Sequence, residues 1–303
     1  MKHEFYYLSK NGTTQIHAIE WIPEGKVTAV VQMCHGMSEH IDRYDAFAQF
    51  LAEHGIYAVG HDHLGHGKSV SSSELRGFFD EKNGNDFVIG DIHELRTRTQ
   101  KKYAGVPYFM LGHSMGSFLL RQYLGSYSDN LAGAIIVGTG EQPSVILAAG
   151  KLLCKLLAVF KGWTYRSPLL YAMSIGAYEK EFGKAWLARN EENVKAYRED
   201  PLCGFVFTLN AYYHMFDGMA KMNTNEHAGK IPKKLPLLFA AGEKDPVGDY
   251  GKGVKIVFER YQKHGAEDAM LKLYSEDRHE ILNEVDRDKV YQDIWEWIES
   301  KKK

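Results

Sequence analysis

The 303-residue chain has only three cysteines, Cys34, Cys154 and Cys203, far apart and without CxxC spacing. That excludes a disulfide framework and a zinc knuckle. No uninterrupted apolar run approaches the twenty or so residues of a spanning helix, since the longest, Val145 to Phe160, is broken by Lys151 and Lys155. No charge of one sign dominates. Lys and Arg number 37 against 39 Asp and Glu, a formal charge of −2, so no basic field draws in nucleic acid or an anionic surface. The terminal Lys301-Lys302-Lys303 reads as a solvated tail. There is no internal repeat, and the opening Met1-Lys2-His3-Glu4-Phe5 has no apolar export region, which makes the cytoplasm the expected location.

What is present is alternation. An opening hairpin is expected over Glu4 to Leu8, an Asn11-Gly12 turn, and Gln15 to Trp21. Short apolar runs follow at Val27–Met33, Ile56–Val59, Pro107–Leu111, Gly133–Val137, Leu235–Ala240 and Met270–Tyr274. Such runs suit strands buried on both faces of a mostly parallel sheet. Helical spacing falls between them, at Tyr44–Glu53, Phe87–Tyr103 and Val285–Ser300. The pattern predicts an α/β fold, doubly wound, with helices flanking the sheet. Residues 141–230 hold no strand pattern and several helix-like pieces. They are read as a helical cap inserted into a core of residues 1–140 and 231–303.

Gly112-His113-Ser114-Met115-Gly116 follows an apolar strand and opens a helical run at Phe118–Leu124. A G-x-S-x-G at such a junction is the sequence of a nucleophile elbow, a sharp turn that exposes a strained serine at the end of a sheet. A serine needs a base, and the base an orienting acid, in the chain order Ser, Asp or Glu, His. The run Leu237–Ala240 leads into Asp245, with Glu243 and Asp249 as alternatives. Leu271–Tyr274 leads into His279. The oxyanion donors are expected to be the backbone N–H of Met115 and of Met37, the latter from His35-Gly36-Met37 after the third strand.

Two other motifs fail. His61, His63 and His66 suggest a metal, but Gly65 stands where a dinuclear site wants a carboxylate. Gly67-Lys68-Ser69 imitates a phosphate loop, but Asp62 occupies the position of its first glycine. Neither a metal nor a cofactor is expected.

The chain resembles the lysophospholipase and monoacylglycerol-lipase branch of the α/β-hydrolases, also grouped with serine aminopeptidase-like hydrolases. The resemblance rests on His35-Gly36-Met37-Ser38-Glu39-His40, Asp62 through Ser69, Gly112 through Gly116, Asp245-Pro246-Val247-Gly248 and Arg278 through Glu284. It implies the α/β-hydrolase fold, Ser114 as nucleophile, Asp245 as acid, His279 as base, and Met37 and Met115 N–H as oxyanion hole. It further implies no cofactor, and a structural turn at residues 60–69. The expected substrate is a monoacyl lipid, such as a lysophospholipid or monoacylglycerol, or a medium-chain ester. Dehalogenase and epoxide-hydrolase chemistry place Asp at the elbow, where this chain has Ser114.

Two apolar clusters in the cap bear on the substrate. Val145, Ile146, Leu147, Leu152, Leu153, Leu156, Leu157, Val159 and Phe160 form one; Phe205, Phe207, Tyr212, Tyr213, Met215 and Phe216 form the other. They predict an acyl-chain pocket with a face that touches lipid aggregates, or simple packing onto the core, which is the expectation for most of them. The competing activity is an aminopeptidase, using Glu179, Glu181, Glu191 or Glu192 to hold the substrate ammonium. A binding protein that keeps the fold without catalysis is the third reading. The oligomeric state is not legible.

Overall fold

In the computed structural model, which describes residues 1–302 (Lys184 by its backbone alone), the chain forms one eight-stranded sheet. The strands are β1 (Lys2–Leu8), β2 (Gln15–Trp21), β3 (Ala29–Cys34), β4 (Ile56–His61), β5 (Tyr108–His113), β6 (Gly133–Val137), β7 (Leu237–Gly242) and β8 (Ala269–Tyr274). Their order is β1-β2-β4-β3-β5-β6-β7-β8. β1 and β2 pair antiparallel, as do β2 and β4, and every later pairing is parallel. The hairpin closes at Leu8 opposite Gln15. Its turn is held by Asn11 Oδ1, which accepts from the N–H of Thr13 and Thr14.

The apolar runs are strands because both faces are covered, and the side chains divide between two cores with period two. Tyr108 and Met110 of β5, Ala134 and Ile136 of β6, and Leu237 and Phe239 of β7 face one core. Phe109 and Leu111, Ile135 and Val137, and Leu238 and Ala240 face the other. The first core is covered by α2 (Gly84–Lys102), α3 (Met115–Tyr127) and α10 (Lys252–Lys263), through Val88, Ile92 and Leu95, Leu120 and Leu124, and Val254 and Val257. The second is covered by α1 (Asp45–Glu53) and α11 (Arg287–Lys301), through Phe47 and Leu51, and Val290, Ile294 and Ile298.

The regular elements between β6 and β7 are helical: α4 (Ser144–Lys161), α5 (Pro168–Met173), α6 (Ile175–Phe182), a 3-10 turn at Gly183–Trp186, α7 (Glu191–Glu199), α8 (Leu209–Met222) and α9 (Asn225–Gly229). Two expectations need correction. Lys301 and Lys302 are not a free tail: Lys301 Nζ pairs with Asp268 at 2.6 Å, and Lys302 Nζ bonds Thr28 Oγ1 at 2.8 Å. Lys303 lies outside the described residues. Packing also fails for most of the first apolar cluster. Val145, Ile146, Leu152, Leu156, Val159 and Phe160 are exposed, and only Leu147 of that group is buried. The second cluster does pack, with Phe207 and Tyr212 fully buried.

Candidate active site

The loops at the carboxyl ends of β3, β5, β7 and β8 converge, as ligand sites in open α/β sheets do. Ser114 directly follows β5, with φ 54° and ψ −121°, a conformation that L-residues hold only when their surroundings enforce it. Two contacts make the enforcement visible. A Cβ on Gly112 would lie 2.3 Å from Gly116 O, and one on Gly116 would lie 2.0 Å from Cys34 O. The elbow therefore closes only with glycine at both positions. Helix α3 starts at Met115, whose N–H is one of the first-turn donors that no intrahelical carbonyl takes. The dipole of the helix favours negative charge there.

The three side chains expected from the sequence are brought together. His279 Nδ1 lies 3.0 Å from Asp245 Oδ2, and both residues are buried. The other Asp245 oxygen accepts from Val247 N–H at 2.8 Å. Glu243 and Asp249, the alternative acids, are exposed. Ser114 and His279 line the same cleft, which has about 500 Å³ of space between its atoms, part of it open to solvent. Among the described residues no hydrogen bond joins Ser114 to His279, and bonds of this kind commonly tighten when substrate arrives. Gly36 sits against the elbow, since a Cβ there would be 3.2 Å from Ser114 Cβ, so the adjoining Met37 also lines the cleft.

A buried ionic network under this wall was not read from the sequence. Arg43 donates to both oxygens of Glu280 at 2.7 Å each and also pairs with Glu39. Glu39 Oε1 accepts from Gly36 N–H and, at 2.8 Å, from Tyr44 Oη. Asn193 Nδ2 donates to Glu280 at 2.7 Å, and the Arg43 guanidinium lies 4.8 Å from the Tyr197 ring centre. Burial by itself would raise the Glu39 carboxyl, but Arg43 and His113 outweigh it and hold it well below the usual range. Burial would likewise lower His113, but Glu39 outweighs it and raises the imidazole. His113 Nε2 lies 3.1 Å from His279 O, and the two rings are 4.7 Å apart. One network thus grips the loop carrying Met37 and the loop carrying His279. Its signals were present as Glu39 and Arg43 at helical spacing and Glu280 beside His279, but nothing in the sequence pairs them.

The glycine- and histidine-rich run is a turn knitted by Asp62. The carboxylate accepts from Ile41 N–H at 2.9 Å and Lys68 N–H at 2.8 Å, and His17 Nδ1 lies 2.8 Å away. Burial would raise this carboxyl, yet His17, His35 and the backbone donor bring it down to about 2. His35 accepts from His63 N–H through Nε2, so its Nδ1 carries the proton and donates to Gly36 O at 2.8 Å. The turn thereby braces the Gly36–Met37 loop.

Opposite the elbow, the cleft wall comes from the segment between β6 and β7, its helices and the loops joining them: Tyr171, Ile175, Trp186, Leu187, Tyr197 and Phe205. Of these only Phe205 was among the apolar residues expected to form a pocket. Trp186 closes over His279, its ring 5.1 Å from the imidazole.

A serine at such an elbow, with acid and base delivered by later strand ends, defines an α/β-hydrolase. The chain belongs to the serine aminopeptidase S33 family, whose model matches residues 25–286. It is 26% identical over 288 residues to the monoglyceride lipase of Rattus norvegicus, spanning 92% of this chain and 84% of that protein. It is 26% identical over 293 residues to the monoacylglycerol lipase of Mycolicibacterium smegmatis, spanning 92% and 91%. In structure it is similar to a highly thermostable carboxyl esterase from Bacillus coagulans, with TM-score 0.91 and 30% identity over 100% of this chain and 99% of the other.

Proposed function

We propose that this protein hydrolyses the ester bond of monoacyl lipids, such as monoacylglycerols or lysophospholipids, through an acyl-enzyme on Ser114. The observation that carries the reading is the strained Ser114 at the head of α3, on one cleft wall with the His279–Asp245 pair. Ser114 Oγ attacks the ester carbonyl while His279 Nε2 takes its proton, and Asp245 holds Nδ1–H and favours the imidazolium. The N–H groups of Met115 and Met37 receive the oxyanion, and each donor of this kind contributes about 2.7–4 kcal/mol. His279 returns the proton to the leaving alcohol. It then activates a water that frees the fatty acid and restores Ser114.

The relatives' names supply the substrate class, and the cleft suits it. A narrow, aromatic-walled cleft takes one acyl chain, and the residues of 141–230 act as its cap. The exposed apolar stripe on α4, flanked by Lys151, Lys155 and Lys161, is the surface that meets the lipid aggregate holding the substrate. Among the described residues no helix is long and apolar enough to cross a membrane. Three unpaired cysteines suit a reducing cytoplasm. The aminopeptidase reading finds no support at the cleft. Glu179 accepts from Tyr171 Oη and Glu181 from Tyr250 Oη. The carboxylates that do reach the wall, Glu39 and Glu280, are taken by Arg43.

The test is hydrolysis of p-nitrophenyl esters of graded acyl length and of monoacylglycerols, with aminoacyl-amides alongside. Activity peaking on medium or long chains supports the lipid reading. Activity confined to acetyl esters or to aminoacyl-amides would overturn it.

A further inference from the structure

At the rim of the cleft, a second group of chemistry-bearing side chains joins the core to the inserted helices. We propose that His40, Asp200 and Cys203 form a binding site for a thiophilic divalent cation of the Zn²⁺ type. His40 leads into the short 3-10 turn Ile41–Tyr44 after β3, whereas Asp200 caps the end of α7 and Cys203 lies one tight turn beyond. Their ligand atoms, one from each residue, all lie within 4.8 Å of one another. His40 Nε2 and Asp200 Oδ2 are already 2.8 Å apart. Tetrahedral zinc, at roughly 2.0–2.3 Å from N, O and S ligands, sets those atoms about 3.5 Å apart. Closing that difference takes side-chain rotation rather than a new fold.

The chemistry is selective. Imidazole, carboxylate and thiolate together suit a borderline ion, whereas Ca²⁺ and Mg²⁺ want oxygen throughout. The thiol proton of Cys203 leaves to solvent as the ion binds, and the two anionic ligands then balance the dication. Asp200 is pre-oriented, because its other oxygen accepts from Leu202 N–H at 2.7 Å and the Cys203 N–H donates to Asp200 O at 3.0 Å. Asp200 and Cys203 are only partly buried, which leaves an entry path and a fourth position for water.

The other cluster of this kind among the described residues differs in an instructive way. Asp277, Glu284 and Asp286 also gather, but the Arg189 guanidinium reaches all three, at 2.6, 3.2 and 2.7 Å. That group already has its cation. Arg43, three residues after His40, is committed to Glu39 and Glu280.

The position gives the ion a consequence. Gly204 N–H donates to Ser38 O at 2.9 Å, and Ser38 Oγ donates to Phe205 O at 2.7 Å. Ser38, Gly204 and Phe205 all line the cleft. An ion held two residues beyond Ser38 and one before Gly204 would clamp the loop bearing Met37 to the inserted segment.

The experiment uses the full chain, with its affinity tag removed and metal stripped by chelator, titrated calorimetrically with Zn²⁺ and spectroscopically with Co²⁺. One ion per chain is expected, with a thiolate-to-cobalt charge-transfer band in the near ultraviolet. Cys203→Ala should abolish that band, and Asp200→Asn should weaken Zn²⁺ binding by at least about tenfold; circular dichroism checks that both variants fold. Absence of saturable binding would overturn the proposal. So would a cobalt spectrum without the thiolate band, or binding that survives both substitutions, which would put the ion elsewhere.

Discussion

The two walls of the cleft are built on opposite principles. The core wall is polar and satisfied: Glu39, Glu280, His113 and Tyr44 are buried, the Arg43 guanidinium reaches in among them, and their hydrogen bonds go to one another, to the backbone of Gly36 and His279, and to Asn193. The inserted wall is apolar, and α4, the first helix of the same insertion though not a lining element, leaves much of its hydrophobic side to solvent. Helix α4 is attached along one narrow seam. Leu147 and Cys154 are buried there, and Gly150 lets the ring of Phe216 approach. On its outer side Val159 is 79% and Phe160 82% exposed. Bonds of fixed geometry hold atoms in place to within fractions of an ångström, which proton transfer and oxyanion binding require. Apolar contact has no direction and tolerates sliding, which suits a surface that admits substrates of varied length. The comparison assigns chemistry to the first wall and substrate handling to the second, and it can be attacked from either side.

The largest effect is expected at the elbow. Ser114→Ala should lower kcat by about 10⁴–10⁶-fold on every ester, soluble or aggregated, with the thermal midpoint nearly unchanged. Steady-state kinetics with a burst assay checks this. Residual turnover within tenfold of the parent would mean that another group attacks the carbonyl.

The next largest lies in the network beneath. Arg43→Ala leaves two buried carboxylates, Glu39 and Glu280, with only the His113 imidazole beside Glu39 to offset their charge. Removing one partner of such a buried pair costs about 3–5 kcal/mol. Urea unfolding should show that loss, and activity should fall because both site loops lose their anchor. A stability loss below 1 kcal/mol would show the network to be dispensable and the two walls less different than argued.

How these features read in the sequence differs for a physical reason. The strands were legible to within about two residues, because burial on both faces leaves unbroken apolar runs such as Gly133–Val137. Ser114, Asp245 and His279 could be expected at one place because each follows a strand in a fixed chain order, and the structure does set His279 beside Asp245 and on one cleft with Ser114. The Arg43–Glu280 pair, 237 residues apart, could not be. It depends on how two loops lie over the sheet, and no periodicity encodes that. The outward face of α4 misled for a related reason. Helical spacing shows that a stripe is apolar, but not which stripe meets the partner, and α4 has apolar residues on nearly every side. Trp186 and Tyr197 were missed because an aromatic residue in a helical region reads as packing until the cleft is seen.

A third test compares histidines within the core. His279 has a carboxylate; the cluster of His61, His63 and His66 beside His35 does not. Burial, reinforced by the neighbouring His35, pushes both His61 and His66 down to about 3, and burial holds His63 well below its usual range. The folded state therefore refuses protons that the unfolded chain accepts. Stability is full above pH 6.5 and falls as pH drops from there towards 3, by about 1.4 kcal/mol per pH unit for each such ring. His66 lies among Phe79, Phe205 and Phe207, so His66→Phe removes a titrating group without opening a polar hole. Urea unfolding between pH 7 and pH 5 should show a shallower decline for the variant. An unchanged slope would place the acid sensitivity elsewhere.

The smallest effect on stability, and the sharpest test of the apolar wall, is on α4. Val159→Ser and Phe160→Ser alter side chains that are almost wholly in solvent, so unfolding free energy should move by less than about 0.5 kcal/mol. Hydrolysis of a short soluble ester should likewise be unaffected, because neither residue lines the cleft. Turnover of monoacylglycerol presented in vesicles or micelles should fall severalfold, since each substitution removes about 1.5–3 kcal/mol of apolar burial at a lipid surface. Sedimentation with vesicles separates the two ways this could fail. If the variant binds vesicles as the parent does, α4 is not the contact. If binding weakens while lipid turnover holds, the helix touches lipid but substrate reaches Ser114 by another route.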